Sequence, residues 1–194
     1  MLCLGVLLGS LGGCTTVRQV ANLRKVQFSI DRVSRPRLAG IDISAFESYK
    51  DLRSTDVLRL GSALSEGKLP LAFTLHLDAK NPQSNGVRAR LIEMDWTLLL
   101  ENKETVSGRF EQEVVLPPGT SKDIGVDIKL DLVRFFDENL RGLVNLASAI
   151  VHNQSPQSVK LRVQPTVRTA FGRFKYPSPI TVMSSERGGD DRQP

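Results

Sequence analysis

The chain predicts a mainly β fold, an antiparallel β-sandwich with one or two added α-helices. Three observations predict it. Apolar residues recur at every second place in several separate runs, the period of a strand with one buried face. Turn steps such as Asn81-Pro82, Asn85-Gly86 and Pro117-Pro118-Gly119 divide those runs at intervals of about ten to fifteen residues. The connections between most runs are too short for the crossover helix that a parallel sheet demands.

Taken in order, the first element is a leader. Residues 1–13 are apolar and carry no charged side chain, and they end in Leu11-Gly12-Gly13-Cys14. This reads as a lipobox, the site at which a bacterial signal peptidase cuts before a lipid-bearing cysteine. Gly12 and Gly13 let an extended backbone enter a protease groove, Leu11 fills an apolar subsite, and Cys14 supplies the thiol. The run is too short to span a bilayer as a helix, which needs about 20 apolar residues. Burial of each CH₂ is worth about 0.8 kcal/mol, so two or three acyl chains on Cys14 hold a protein where one lets it escape. Thr15, a non-Asp residue after the cysteine, resembles the sorting pattern of outer-membrane lipoproteins in Gram-negative cells. The expected location is the cell envelope, lipid-anchored, on the outer membrane facing the periplasm.

Residues 14–25 form a polar, basic tether, and residues 26–183 a single domain. Val26, Phe28 and Ile30 alternate as a strand until Arg35-Pro36 interrupts them; Leu38, Ile41 and Ile43 suggest a second strand or an irregular edge. Ser54-Thr55-Asp56 opens a helix with a Ser or Thr N-cap, the stripe Val57/Leu60/Leu64 faces the core, and Gly67 closes it. Leu69 to Ala79 is the cleanest alternation in the chain, with Thr74, His76 and Asp78 on the wet face. Ile92, Met94, Trp96, Leu98 and Leu100 follow on one face, but Val87, Ala89 and Leu91 hold the opposite phase. A β-bulge near Leu91-Ile92 accounts for the slip.

Asn102-Lys103 marks a tight turn, and Val106, Gly108, Phe110, Val114 and Leu116 continue the sheet. Ile124 to Leu132 alternates again. From Val133 to Val151 the period turns helical, Asn153–Ser158 is a loop, and Val159 to Val167 is a strand. Phe174, Tyr176, Ile180 and Val182 suggest a final hairpin, and residues 184–194 a disordered polar tail.

Composition narrows the function. Hydrophobic content of 40% and charged content of 24% are ordinary for a globular domain. The two cysteines both lie at or before position 14, so a mature chain starting at Cys14 has no disulfide, thiolate metal site or thiol nucleophile within its domain. The net charge of +5 is spread rather than clustered, which suits weak attraction to anionic headgroups and not nucleic acid.

Between Leu71 and Leu132 the sequence resembles the late-embryogenesis-abundant (LEA) type 2 family, also called the WHy domain (water stress and hypersensitive response). Phe73-Thr74-Leu75-His76-Leu77-Asp78-Ala79-Lys80-Asn81-Pro82 matches the family's strand running into an Asn-Pro corner. Met94-Asp95-Trp96-Thr97-Leu98-Leu99-Leu100 matches the strand that follows. Val106-Ser107-Gly108, Leu116-Pro117-Pro118-Gly119 and Ile124–Leu132 match the later strands and turn. The resemblance implies a fibronectin- or immunoglobulin-like sandwich, in bacteria often carried by a lipoprotein. Asn81, Pro82 and Gly108 are read as structural: Asn81 capping its own backbone two residues on, Pro82 fixing φ at the corner, Gly108 permitting a bulge or close strand approach.

Chemistry-bearing groups are sparse. His76 and His152 are the only histidines, and no His-x-x-x-His spacing, Gly-x-Ser-x-Gly elbow or phosphate-cradling glycine loop occurs. Asp78 and Asp95 flank the Asn-Pro turn and are expected to pair with Lys80 or Arg88. No catalytic residue, metal or cofactor is expected. The resemblance and the lipobox together imply a non-enzymatic envelope protein that acts under desiccation or osmotic stress by binding unfolded proteins, anionic headgroups or envelope partners. The alternative is a structural adaptor lipoprotein of an envelope or lipid-handling assembly, docking through sheet edges or through a second apolar side of the 133–151 helix at Phe135 and Leu143.

Overall fold

Two antiparallel sheets face each other across an apolar core in the computed structural model, which describes residues 26–136, 140–152, 159–169 and 172–183. The first sheet has the order β2-β1-β3-β7, from Ile41–Asp42, Gln27–Leu38, Pro70–Asn81 and Thr120–Asp131. The second has the order β10-β8-β4-β5, from Ile180–Met183, Val159–Thr169, Ala89–Leu100 and Lys103–Phe110. Two short strands extend it: β6 (Val114–Leu116) pairs with β4, and β9 (Gly172–Lys175) with β8. Leu71, Phe73, Leu75 and Leu77 of β3 point inward against Met94, Trp96 and Leu98 of β4. Side-chain period 2 gives each sheet this inner apolar face and an outer polar one.

Turn chemistry sets the registers. Leu100 pairs with Lys103 across Glu101 and Asn102, whose φ values are 49° and 64°. Ala39 and Gly40, at 48° and 82°, join β1 to β2 in the same way. Two central residues with positive φ make a turn whose twist matches that of the flanking strands. The tight turn is therefore Glu101-Asn102, one residue earlier than expected, and Lys103 already belongs to the strand.

The strand expected to end at Arg35-Pro36 instead runs through to Leu38. Extra residues between Ile30 and Arg32 and between Ser34 and Arg37 shift its register against β3, and Arg35 takes φ 54°. Each bulge inserts one residue and switches the phase of inward-facing side chains, from Ile30 to Val33 and then to Pro36 and Leu38. In β4, the phase slip expected near Leu91-Ile92 is a register shift against β8 between Leu91 and Glu93.

Helix α1 spans Ser54–Ser65. Its N-cap is Arg53 rather than a Ser or Thr; the Asp56 carboxylate accepts from the Arg53 backbone N–H at 3.3 Å. Leu60 is fully buried, Val57 and Leu64 half-buried, and Leu58 is 74% exposed. Helix α2 spans Leu140–His152. It starts later than expected because Leu132–Arg134 form a 3-10 turn, which the Asp131 carboxylate caps by accepting from Val133 N. Leu143 lies wholly in the core, which removes it from any partner-facing side of that helix. Ser148 Oγ donates to Phe46 O and Glu47 O at 2.8 and 2.7 Å, strapping α2 to the segment after β2.

The closing segments do not pair as a hairpin. β9 and β10 each pair with β8, at Thr166–Thr169 and at Lys160–Val163, as two pieces of one interrupted edge. The lipobox with Cys14, the tether, the 153–158 loop and the tail at 184–194 lie outside the described residues. No described helix is long and apolar enough to cross a membrane.

Candidate functional site

The Asn-Pro corner is a tie between strands. Asn81 is completely buried at the end of β3, and its Nδ2 donates to Val87 O at 2.9 Å and to Leu116 O at 2.8 Å. Its Oδ1 accepts from Asn85 Nδ2 at 2.5 Å, and its backbone carbonyl accepts from Gly119 N at 2.8 Å. The side chain thus joins β3 to the entry of β4 and to β6, and the backbone carbonyl joins it to the turn into β7, where the expected role was a cap on its own backbone. Pro82, at φ −58°, leads into the 3-10 turn Gln83–Asn85, which Gly86 closes at φ 65°. Gly108 pairs with Trp96, and a Cβ placed there would stand 2.3 Å from Trp96 Cζ2. The indole, 8% exposed, fills that space beneath the edge strand. These residues build the fold.

The functional groups that the residue patterns did not bring together lie on the outer face of the β1–β3–β7 sheet. His76 sits between Ser34 on β1 and Asp123 on β7. Ser34 Oγ is 2.7 Å from His76 Nε2, and His76 Nδ1 is 2.8 Å from Asp123 Oδ2. An ionised carboxylate only accepts, so Nδ1 carries the proton directed at Asp123, and in the neutral ring Nε2 accepts from the Ser34 hydroxyl. Arg32 Nη2 donates to Asp123 Oδ2 at 2.7 Å. Partial burial pushes the Asp123 carboxyl up, but hydrogen bonds from His76 and Arg32 outweigh it and hold the group below the usual carboxylate range. One diagonal step along the sheet, Thr74 Oγ1 donates to Asp127 Oδ1 at 2.7 Å and accepts from Arg35 Nη2 at 2.6 Å. A Cβ at Gly125, which pairs with His76, would stand 3.3 Å from Thr74 Cγ2.

Serine, imidazole and carboxylate in this order share the hydrogen-bond sequence of a nucleophilic triad. Acyl transfer needs in addition a substrate cleft at the nucleophile and amide donors aimed at an oxyanion. The neighbouring depression is lined by Arg35, Thr74 and Asp127, not by Ser34 or His76. What the arrangement does supply is a charge-assisted lacing of three strands across one face.

A second lacing covers the other sheet. Asp95 accepts from Arg109 Nε at 2.6 Å and from Lys175 Nζ at 2.5 Å, and Glu93 pairs with Arg173. Hydrogen bonds from Lys175 and Arg109 hold the Asp95 carboxyl below its usual range. Asp78 and Asp95 belong to different sheets and face opposite sides of the sandwich, so they share no site, and among the described residues neither pairs with Lys80 or Arg88. Asp78 accepts from Ser121 Oγ at 3.3 Å. His152 lies at the end of α2, Nδ1 3.1 Å from Ser148 O and Nε2 3.1 Å from Ser44 O. Among the described residues no group of three or more His, Cys, Asp or Glu is placed to hold a metal ion.

Fold and faces together define an antiparallel β-sandwich with two added helices, laced by polar networks on both outer surfaces. No family model matches the chain, and no curated protein matches it. Solved structures similar to it include a protein from Archaeoglobus fulgidus, 11% identical over 80% of this chain and 94% of that one, TM-score 0.35. A protein designated late embryogenesis abundant, solved in solution, is 12% identical over 88% and 75%, TM-score 0.40. A Bordetella pertussis protein designated ApaA is 13% identical over 84% and 97%, TM-score 0.32. At these identities and scores the similarity does not reach ligands, partners or activity.

Proposed function

We propose that this chain is a lipid-anchored, non-enzymatic protein of the bacterial envelope, whose LEA type 2/WHy-like domain protects against desiccation or osmotic stress by binding proteins or membrane surface. The observation that carries the reading is the Asn81 corner. The segments quoted for the resemblance, 73–82, 94–100, 106–108, 116–119 and 124–132, are neighbours in space, and the Asn81 amide and the Trp96–Gly108 pair join them into one unit. The outer faces suit such a role. Cations and carboxylates alternate there across strands and stay hydrated, while the apolar side chains go to the core. Such a face offers partners charged and hydrogen-bonding groups as water is withdrawn.

The anchor is tested by intact-mass spectrometry of protein extracted from membranes. The expected species begins at Cys14 and carries a diacylglycerol thioether; a soluble chain retaining residues 1–13 overturns the anchor. The stress role is tested by drying a deletion strain beside its parent. Reduced survival, restored by the wild-type gene, is expected, and survival equal to the parent's overturns it.

A further inference from the structure

We infer that the seam between β7 and β5 is a binding site for a single-chain anionic lipid, its acyl tail along the apolar side chains of a groove and its head on the Lys129 and Arg134 cations that line the same groove. This goes beyond the anchoring and stress reading and does not depend on it. β7 and β5 are the outermost strands of their sheets on this side, and they are not hydrogen-bonded to each other. The groove there, about 550 Å³, is lined by the apolar Pro70, Leu71, Val106, Leu130 and Phe135 and, among polar groups, by Thr105, Lys129, Asp131 and Arg134. That volume falls within the range of small-molecule pockets, about 300–1,000 Å³.

Ala72 and Lys129 line this groove and also a second depression of about 410 Å³ on the outer face, where Arg35 and Arg37 lie beside Asp127 and Asp42. The two cavities therefore meet at one small residue and one cation. The carboxylates around them are engaged. Asp131 accepts from Leu69 N at 2.7 Å and from Val133 N, Asp42 from the Ser44 hydroxyl and N–H, and Asp127 from Thr74 and Arg35. The Lys129 ammonium and the Arg134 guanidinium at the groove rim have no hydrogen-bond or ion-pair partner among the described residues. An apolar slot ending in unpaired cations is complementary to an acyl chain ending in a carboxylate or phosphate. Burial of the methylenes drives the chain into the slot, and the charge-assisted contacts fix which end goes where.

The test uses the full chain with Cys14→Ser, so that the protein carries no acyl group of its own, and cis-parinaric acid as the fluorescent probe. Saturable binding at one probe per chain is expected, displaced by dodecyl phosphate and much less by dodecanol. Lys129→Glu with Arg134→Glu should weaken probe binding by about tenfold or more, the loss of a charged contact. Ala72→Trp, which fills the junction, should abolish it with an unchanged circular dichroism spectrum. Val106→Asp is the second variant if Ala72→Trp does not fold. No saturable binding, or equal binding by the wild type and the groove variants, overturns the site. Equal displacement by dodecanol overturns the assignment of the head.

Discussion

Trp96 lies across the bare Cα of Gly108, its cross-strand partner, so closely that a methyl group at Gly108 would overlap the indole at 2.3 Å. Met94 and Leu98, its neighbours along the same face of β4, are fully buried. Gly108→Ala should therefore destabilise the domain by about 2–3 kcal/mol through overpacking. Trp96→Leu alone should cost about 3 kcal/mol through the cavity it leaves. The double variant should be more stable than the sum of the two losses predicts, because the smaller side chain makes room for the methyl. Urea unfolding of the four proteins measures the coupling; strict additivity would show that the contact does not constrain the strand.

Asn81 poses a different problem, since its amide donates to two backbone carbonyls in a site closed to water. Asn81→Ala leaves Val87 O and Leu116 O without that donor and should cost about 2–4 kcal/mol. Asn81→Asp keeps the shape but turns an oxygen toward those carbonyls, so it should be worse than alanine at neutral pH. Raising stability by protonating that aspartate in acid would bring the pair of variants closer together. Unfolding midpoints at two pH values read both effects, and an aspartate variant as stable as the wild type would remove the tie.

Period-2 patterning made the inner faces of β3, β4 and β7 legible, since each keeps its core residues in phase over many positions. Even the slip at Leu91-Ile92 was readable, because both flanks alternate cleanly. β1 was not, because two bulges reset its phase within a few residues and make Arg35-Pro36 resemble a break. The 133–151 stretch carries helical spacing throughout, yet the side chain of Asp131 stops the first part as a 3-10 turn. The Ser34–His76–Asp123 network joins residues 42 and 47 positions apart, so it exists only once the register of three strands is fixed. A polar residue on the wet face of a strand gives no hint of which diagonal neighbour it will meet.

That lacing makes the fold sensitive to acid. Asp123, Asp95 and Asp42 all have carboxyls held below their unfolded values: Asp123 by His76 and Arg32 against the upward push of burial, Asp95 by Lys175 and Arg109, and Asp42 by the Ser44 hydroxyl and N–H. A group whose folded pKa is depressed adds stability that is complete above its unfolded pKa, about 3.9 for Asp, and is lost as pH falls through the folded value. In that window the unfolded chain binds more protons, so stability rises with pH. The urea midpoint should therefore be insensitive to these groups above about pH 5 and should drop below about pH 4. Asp95→Asn removes one such contribution, about 1 kcal/mol or less because its partners are on the surface, and should flatten the acid limb while lowering the neutral plateau. High salt should weaken the same limb, since screening acts on exposed pairs. Both effects come from one cause, carboxylates that must stay ionised to keep strands from different parts of the chain laced together. An acid limb unchanged by Asp95→Asn and by Asp123→Asn would show that the ion pairs decorate the sheets without holding them.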